Sequence, residues 1–284
     1  MARPALPRDI QATVARALAE DVGDGDVTAD LVPVDQRATA TVVSREDAVL
    51  CGTAWFDEVY RQLDAAIEVQ WSAGDGDRIA AGEALCRLAG RARPLLTGER
   101  TSLNFLQTLS GTATAARRYA DAVAGSGCKV LDTRKTLPGL RAAQKYATAC
   151  GGVTNHRHGL YDAILIKENH IIAAGGIGAA LSRARAAHPE LTVEIEVESL
   201  QELEAALGGG ADIVLVDNFD LATLAEAVRI NGGRARLEAS GNVALDRLAE
   251  IAATGVDYVS VGAVTKHLRA VDLSLRFRFD DHGS

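Results

Sequence analysis

Six short apolar runs punctuate the second half of this chain: KVLD (129–132), AILIK (163–167), TVEIEVE (192–198), DIVLVDN (212–218), ARLEASG (235–241) and DYVSVGA (257–263). Ala- and Leu-rich stretches with helical spacing lie between the later runs, for example 199–207, 220–229 and 243–253. Strands that alternate with helices pair in parallel, because each helix serves as the long crossover a parallel pair needs. The later runs recur at about the length of one βα unit, and this many units predicts a βα barrel. Six signals, where a closed barrel of this kind has about eight strands, predict an open or incomplete one.

The first half has a different rhythm. From about 38 to 90 the runs ATATVVS, IEVQW and ALCRLAG alternate over short lengths, with Gly-Asp turns such as AGDGD (73–77) between them. Alternation of that kind predicts an antiparallel sheet. Before it, RDIQATVARALAED (8–21) spaces Ile10, Val14, Ala17 and Leu18 as a helix does. Residues 94–124 read as one or two helices, with Gly98 and Gly111 as the strong interruptions. The chain is therefore read as α/β, with an N-terminal α/β domain over 1–115 and a parallel βα barrel over 116–269.

Composition narrows the function. Apolar residues make up 48% of the 284, but aromatics only 4%, so Ala, Val, Leu and Ile must fill the core. A formal net charge of −8 argues against steering toward nucleic acid or an anionic membrane surface. An anion bound by such a chain must meet a local group of cations. Cys51, Cys86, Cys128 and Cys150 form no CxxC pair and are read as buried core thiols of a reducing compartment. With no long apolar leader and no apolar run of about 20 residues, the expected location is cytoplasmic.

In a βα barrel the active site lies at the C-terminal ends of the strands. Here Asp132, Arg134 and Lys135 follow the first run, and Lys167, Glu168 and Asn169 the second. Glu194, Glu196 and Glu198 alternate along the third and share a face. Asp217-Asn218, Ser240-Gly241-Asn242 and Gly262-Ala263 end the other three. The loop GGVTNHRHGL (151–160) adds His156, Arg157 and His158. Arg100 is placed near a helix start, where a cation opposes the helix dipole and points to a non-local partner.

The site then has two chemical sides. One is cationic: Arg100, Arg134, Lys135, Arg157, Lys167 and His156. The other is acidic, Glu196 and Asp217, which suits Mg²⁺ with its preference for oxygen ligands and retained water. The ends at Ser240-Gly241 and Gly262 fit a phosphate cradle. Together they predict a metal-assisted reaction of a phosphate-bearing substrate with a second anionic one. Plainer roles stay open beside these. Arg134-Lys135 could be a solvated turn, Glu194 and Glu198 simple ion-pair partners, and Ser240 a helix N-cap. His158 and His170 could brace loops. Lys167 could form a Schiff base as in class I aldolases.

The motifs LDTRKTLPGLR, NHRHGLYDAILIKENH, VEIEVESL, VLVDNF, EASGN and GVDYVSVGA, with the earlier EDVGDGDVTADL and ERTSLNFLQTLSG, resemble the quinolinate phosphoribosyltransferases. These are also called nicotinate-nucleotide pyrophosphorylases (carboxylating), and the likeness runs in order along nearly the whole chain. Asn242 stands where a second glycine is common. The resemblance implies a sandwich-like N-terminal domain joined by the segment 270–284, an open barrel, and a homodimer with shared active sites, with assembly into a hexamer left open. It implies that quinolinate and phosphoribosyl pyrophosphate become nicotinate mononucleotide, pyrophosphate and CO₂ in de novo NAD synthesis, with Mg²⁺ as the only cofactor. By the same likeness, Arg100 from the partner subunit, Arg134, Arg157 and Lys167 hold quinolinate, with Lys135 and His156 beside them. Lys135, Glu196 and Asp217 carry the catalytic role, and the two acids meet Mg²⁺ directly or through water. Ser240, Gly241 and Gly262 bind the 5′-phosphate. A related protein associated with molybdenum transport shares the fold and is the nearest alternative.

Overall fold

The computed structural model describes residues 4–241 and 243–280. Asn242 and the end of the returning segment, 281–284, lie outside them. In chain order the elements are α1 (Ile10–Val22), β1 (Arg37–Ser44), β2 (Ala48–Val49), α2 (Thr53–Leu63), β3 (Glu68–Trp71), β4 (Arg78–Ile79), β5 (Ala84–Arg91), α3 (Ala92–Ala122), β6 (Lys129–Leu131), α4 (Arg141–Cys150), β7 (Ile164–Ile166) and α5 (Glu168–Ala174). They continue with α6 (Ile177–Ala187), β8 (Val193–Val197), α7 (Leu200–Gly208), β9 (Ile213–Asp217), α8 (Leu221–Asn231), β10 (Arg236–Ser240), α9 (Leu248–Ala253), β11 (Tyr258–Ser260), α10 (Ala263–Lys266) and β12 (Leu273–Phe279).

The described residues form two compact units. The first holds the chain up to Arg117, Thr136–Gly152 and everything from Thr265 on; the second holds Arg118–Lys135 and Val153–Val264. On sequence alone, 136–152 belongs with the barrel. It packs in the first unit because Ala143, Tyr146 and Ala147 of α4 join Val14, Trp55, Val59 and Leu109 in one buried cluster.

The first unit is built on an antiparallel sheet in the order β12-β1-β5-β3, beside a short β2-β4 pair. The predicted alternation is real: Ala38, Ala40 and Val42 of β1 are buried, with Leu85 and Leu88 of β5. They meet Phe56 and Tyr60 of α2 and Leu95, Leu103 and Leu106 of α3. Burying each large side chain of this kind contributes about 1.5–3 kcal/mol. β12, from the far end of the chain, adds as an edge strand, with Val42 opposite Leu275.

The segment read as one or two helices over 94–124 proves to hold one, α3, of 31 residues, which starts at Ala92 and ends at Ala122. Pro94 falls in its first turn, where the missing N–H has no intrahelical partner to lose. The two glycines that look like breaks are contact points. A Cβ on Gly111 would lie 2.2 Å from the Arg269 carbonyl oxygen, and one on Gly98 would lie 2.7 Å from the Tyr60 ring. α3 therefore begins well before Arg100, and the dipole rationale for that residue lapses.

The second unit carries a six-stranded, all-parallel sheet in the order β6-β11-β10-β9-β8-β7. Strands consecutive in sequence, β6 and β7, form its two edges, so the predicted barrel is open between them. All four cysteines are buried, as expected of core thiols. No helix of the described residues is long and apolar enough to cross a membrane.

Candidate active site at the strand ends of the barrel

In-register neighbours of a parallel sheet point to the same face. Glu196 pairs with Leu215 and Asp217 with Ser240, so Glu196, Asp217 and Ser240 project from one face, with Asp217 and Ser240 level with each other and nearer its C-terminal rim than Glu196. Glu238, also in register with Leu215, is level with Glu196 on that face, and Glu194, in register with Ile213, lies one layer deeper. The opposite face is apolar, with Val193, Ile195, Val197, Val214 and Val216 buried. That single periodicity turns the chemistry inward and the hydrophobic side toward the helices.

The cations come from the ends of β6 and β7 and the loop between. Asp132 is fully buried and accepts the Asn155 amide at 2.6 Å and the His156 backbone N–H at 2.9 Å, tying the β6 end to the loop. Thr133 Oγ1 accepts the Lys135 backbone N–H at 3.1 Å. The Lys135 stem then runs across Gly262, where a Cβ would come within 2.8 Å of Lys135 Cδ. A glycine at the end of β11 thus lets a lysine lie flat on the rim.

Arg134 and Arg157 are neighbours without an ion-pair partner among the described residues. The buried Nε of Arg134 has no hydrogen-bond partner, while Arg157 donates to the Ala163 carbonyl at 3.3 Å. Burial and then the adjacent Arg134 charge push the Arg157 pKa down. Two like charges in a partly desolvated place are poised for an anion. Lys167, by contrast, forms an ion pair with Glu196.

The loop is braced from within. Asp162 accepts the backbone N–H of His158 at 2.7 Å and of Gly159 at 2.9 Å. His170 Nδ1 accepts the Lys167 backbone N–H at 3.0 Å, so His170 fixes the start of α5. The bracing alternative for His170 is what the structure shows. Ser240, in contrast, caps no helix: it ends β10, and the next helical turn starts at Leu245 after Ala244.

Asn218 is the one non-glycine residue with positive φ, at 57°, among the described residues. Its side chain donates to Asp217 at 2.7 Å, and its backbone N–H donates to the Ser240 carbonyl at 3.0 Å. Gly241, at φ 98°, lies against it, and a Cβ there would meet Asn218 Oδ1 at 2.2 Å. A left-handed asparagine at a site rim points to function, since it is held there by its surroundings. A small cleft lined by Phe219, Ser240, Gly241 and Arg247 opens beside this turn.

Of the residues singled out on sequence, Arg134, Lys135, His156, Arg157, Lys167, Glu196, Asp217, Ser240, Gly241 and Gly262 all lie in the second unit, at or just beneath the strand ends. Arg100 is exposed on α3 in the first unit. Glu238 and Arg247 were not foreseen, and Asn218 was read only as a polar strand end. The available signal for Glu238 was its position two residues before Ser240 on one strand face.

His156 reaches down into the barrel, with Nε2 2.7 Å from Glu194 Oε2 and 3.5 Å from Glu238 Oε2. Burial works against charge on the ring, but the two carboxylates outweigh it and raise its pKa to about 10. Burial likewise drives the Glu194 carboxyl up, to about 7, against the pull of His156. For a metal, the better set is Glu196 with Asp217. They are partly accessible oxygen donors on adjacent strands, and they fit a hard divalent cation that keeps waters.

Family models for the quinolinate phosphoribosyl transferase N-terminal and C-terminal domains match residues 26–110 and 112–276. The chain belongs to the quinolinate phosphoribosyltransferase family. A family relative from Mycobacterium leprae, named nicotinate-nucleotide pyrophosphorylase (carboxylating), is 44% identical over 272 residues, covering 93% of this chain and 95% of its own. A tobacco quinolinate phosphoribosyltransferase (decarboxylating) 1b is 36% identical over 96% of this chain and 84% of its own. Among solved structures, the nicotinate-nucleotide pyrophosphorylase from Francisella tularensis superposes with a TM-score of 0.94 at 46% identity, covering 96% of this chain and 98% of that one. These quinolinate phosphoribosyltransferase relatives span both units, so the open barrel and the returning strand β12 belong to one family architecture.

Proposed function

We propose that this chain transfers phosphoribosyl from phosphoribosyl pyrophosphate to the ring nitrogen of quinolinate. The products are nicotinate mononucleotide, pyrophosphate and CO₂, a step of NAD biosynthesis. The observation that carries the reading is the Arg134–Arg157 pair, unpaired and mutually repelling, across the rim from Glu196 and Asp217. Two guanidinium groups suit the adjacent carboxylates of a pyridine dicarboxylate.

Arg134 and Arg157 hold the carboxylates and fix the ring so that its nitrogen faces C1 of the ribose. Lys135, laid along Gly262, brings positive charge to the phosphate side, and Lys167 stands with the arginines for the carboxylates. As the C1–pyrophosphate bond breaks, C1 becomes oxocarbenium-like, and Glu196 and Asp217 stabilise it electrostatically and hold the ribose hydroxyls. The backbone around Ser240, Gly241 and Gly262 receives the 5′-phosphate, with Arg247 beside the first two. The nitrogen lone pair forms the new bond to C1, and the ring becomes cationic. The electron pair left at C2 when its carboxylate departs as CO₂ is stabilised by that charge until a proton replaces it. Glu196 and Asp217 would hold Mg²⁺, which neutralises the leaving pyrophosphate. Lys167 Nζ is engaged by Glu196, an arrangement that favours anion holding over Schiff-base chemistry.

The finer parts of the reading are a homodimer with shared sites and a cytoplasmic setting. Arg100 is exposed on α3, and Leu160, Tyr161 and Ile172 expose large apolar surfaces, features a partner subunit would cover. Four buried thiols accord with a reducing compartment. The test of the activity is incubation with quinolinate, phosphoribosyl pyrophosphate and Mg²⁺. Formation of nicotinate mononucleotide with release of CO₂ is expected, and no product would reject the reading.

A further inference from the structure

Beneath the rim, the barrel interior holds two buried acids beside His156 that the proposed chemistry does not by itself require. Glu194 on β8 is 2% exposed and Glu238 on β10 is 1% exposed. They come from strands on opposite sides of β9 and converge on one imidazole nitrogen, at 2.7 Å and 3.5 Å. Glu194 Oε1 and Glu238 Oε2 have no hydrogen-bond partner. Two buried, under-satisfied carboxylates are costly unless a cation accompanies them. The two contacts set an acid on either side of His156 Nε2 and so fix the orientation of the ring. The backbone of the same residue is fixed independently, because the His156 N–H donates to the buried Asp132 at 2.9 Å.

We propose that Glu194 and Glu238 are positioning residues that hold the His156 ring protonated and immobile, making it a standing cation for the dicarboxylate substrate. The substrate half of this rests on the quinolinate reading above; the state of the histidine does not. The charged groups at the ring are Glu194 from β8 and Glu238 from β10; Asp132 after β6 holds the residue's backbone N–H, and Arg157 feels both Glu194 and Arg134. The balance among the ring's own neighbours favours its charged form, since the two carboxylates prevail over burial. An ordinary histidine would lose its charge near neutral pH. This one supplies a cation through the neutral range, in a place where a lysine or arginine side chain would have to displace the two acids.

The test follows the His156 ring by NMR in ¹⁵N-histidine-labelled protein, with the resonance assigned by His156→Asn. The wild-type ring is expected to stay protonated from about pH 6 to about pH 8.5. In Glu194→Gln/Glu238→Gln, whose amides keep the shape but not the charge, it should titrate at or below the ordinary histidine pKa of about 6.5. Quinolinate binding, measured by calorimetry without the second substrate, should be flat over that range in the wild type and fall roughly tenfold with rising pH in the double variant, the size of one charge-assisted contact. If the double variant does not fold, Glu238→Gln alone should give a smaller shift in the same direction. A wild-type ring that titrates near pH 6.5, or variants that leave its titration unchanged, would overturn the proposal. A wild-type protein with a charged His156 that does not bind quinolinate would support the positioning role and reject the substrate reading.

Discussion

Arg134 and Arg157 stand close enough for the charge of one, after burial, to lower the pKa of the other, and neither has an ion-pair partner among the described residues. A folded chain keeps such a pair only at a cost, which an anionic ligand would offset. Arg134→Lys is therefore expected to lower kcat/KM with quinolinate by about tenfold or more, because a lysine keeps the charge but loses the planar fork. A loss of about twofold or less, under ~0.5 kcal/mol of transition-state binding, would show that Arg134 is not a two-donor ligand.

The same pair predicts selectivity. Nicotinic acid has a single carboxylate and would leave one desolvated cation unpaired. Its kcat/KM should fall at least about a hundredfold below that of quinolinate, since sites built around polar contacts reject analogues that lack them. Comparable values measured side by side would count against a dicarboxylate site.

Arg100 lies on α3, outside the unit that carries the other candidate residues. If it serves the partner's site, Arg100→Ala and Lys135→Ala, each inactive, should regain activity on subunit exchange, up to about half of wild type when sites act independently. Lys135→Ala mixed with Glu196→Ala should stay inactive, because every barrel then keeps a lesion. Exchange confirmed by mass spectrometry without regained activity in the first mixture would place Arg100 in its own chain's service.

Stability should respond differently at two helical glycines. Gly111→Ala drives a methyl group against the Arg269 carbonyl, 2.2 Å away, and should cost about 1–3 kcal/mol in denaturant unfolding. Gly178→Ala, in α6 with nothing within 4 Å, should be neutral or stabilise by up to about 1 kcal/mol. Equal effects at the two positions would contradict the close packing of α3.

The loop carrying His156 and Arg157 should loosen in acid. Partial burial opposes charge on Asp162, but the N–H groups of His158 and Gly159 prevail and hold its carboxyl below the usual range. A folded-state pKa below the unfolded value means the contribution is complete above about 3.9. It is lost as pH falls through the depressed value. Asp162→Asn should remove that acid-dependent part, seen as a flatter acid limb in hydrogen exchange of the loop amides. An unchanged acid limb would show that Asp162 does not brace the loop.

Much of this was legible in the sequence because burial on both faces leaves uninterrupted apolar runs, as in IVLVD of β9. The rim residues were legible because charge at a strand end is a departure from that pattern. What stayed hidden depends on contacts between distant residues. Gly98 and Gly111 read as helix breaks, yet each marks a close approach inside a continuous α3. Residues 136–152 read as part of the barrel, yet the apolar face of α4 is buried in the first unit. Glu194 was open to a simple ion-pair role and Glu238 was not singled out, and only the folded contacts show them converging on one histidine.

The most direct measurement uses quinolinate labelled in the carboxylate next to the ring nitrogen, with phosphoribosyl pyrophosphate and Mg²⁺. One labelled CO₂ should be released for each nicotinate mononucleotide and each pyrophosphate formed. CO₂ release without phosphoribosyl pyrophosphate, or pyrophosphate release without CO₂, would contradict the account.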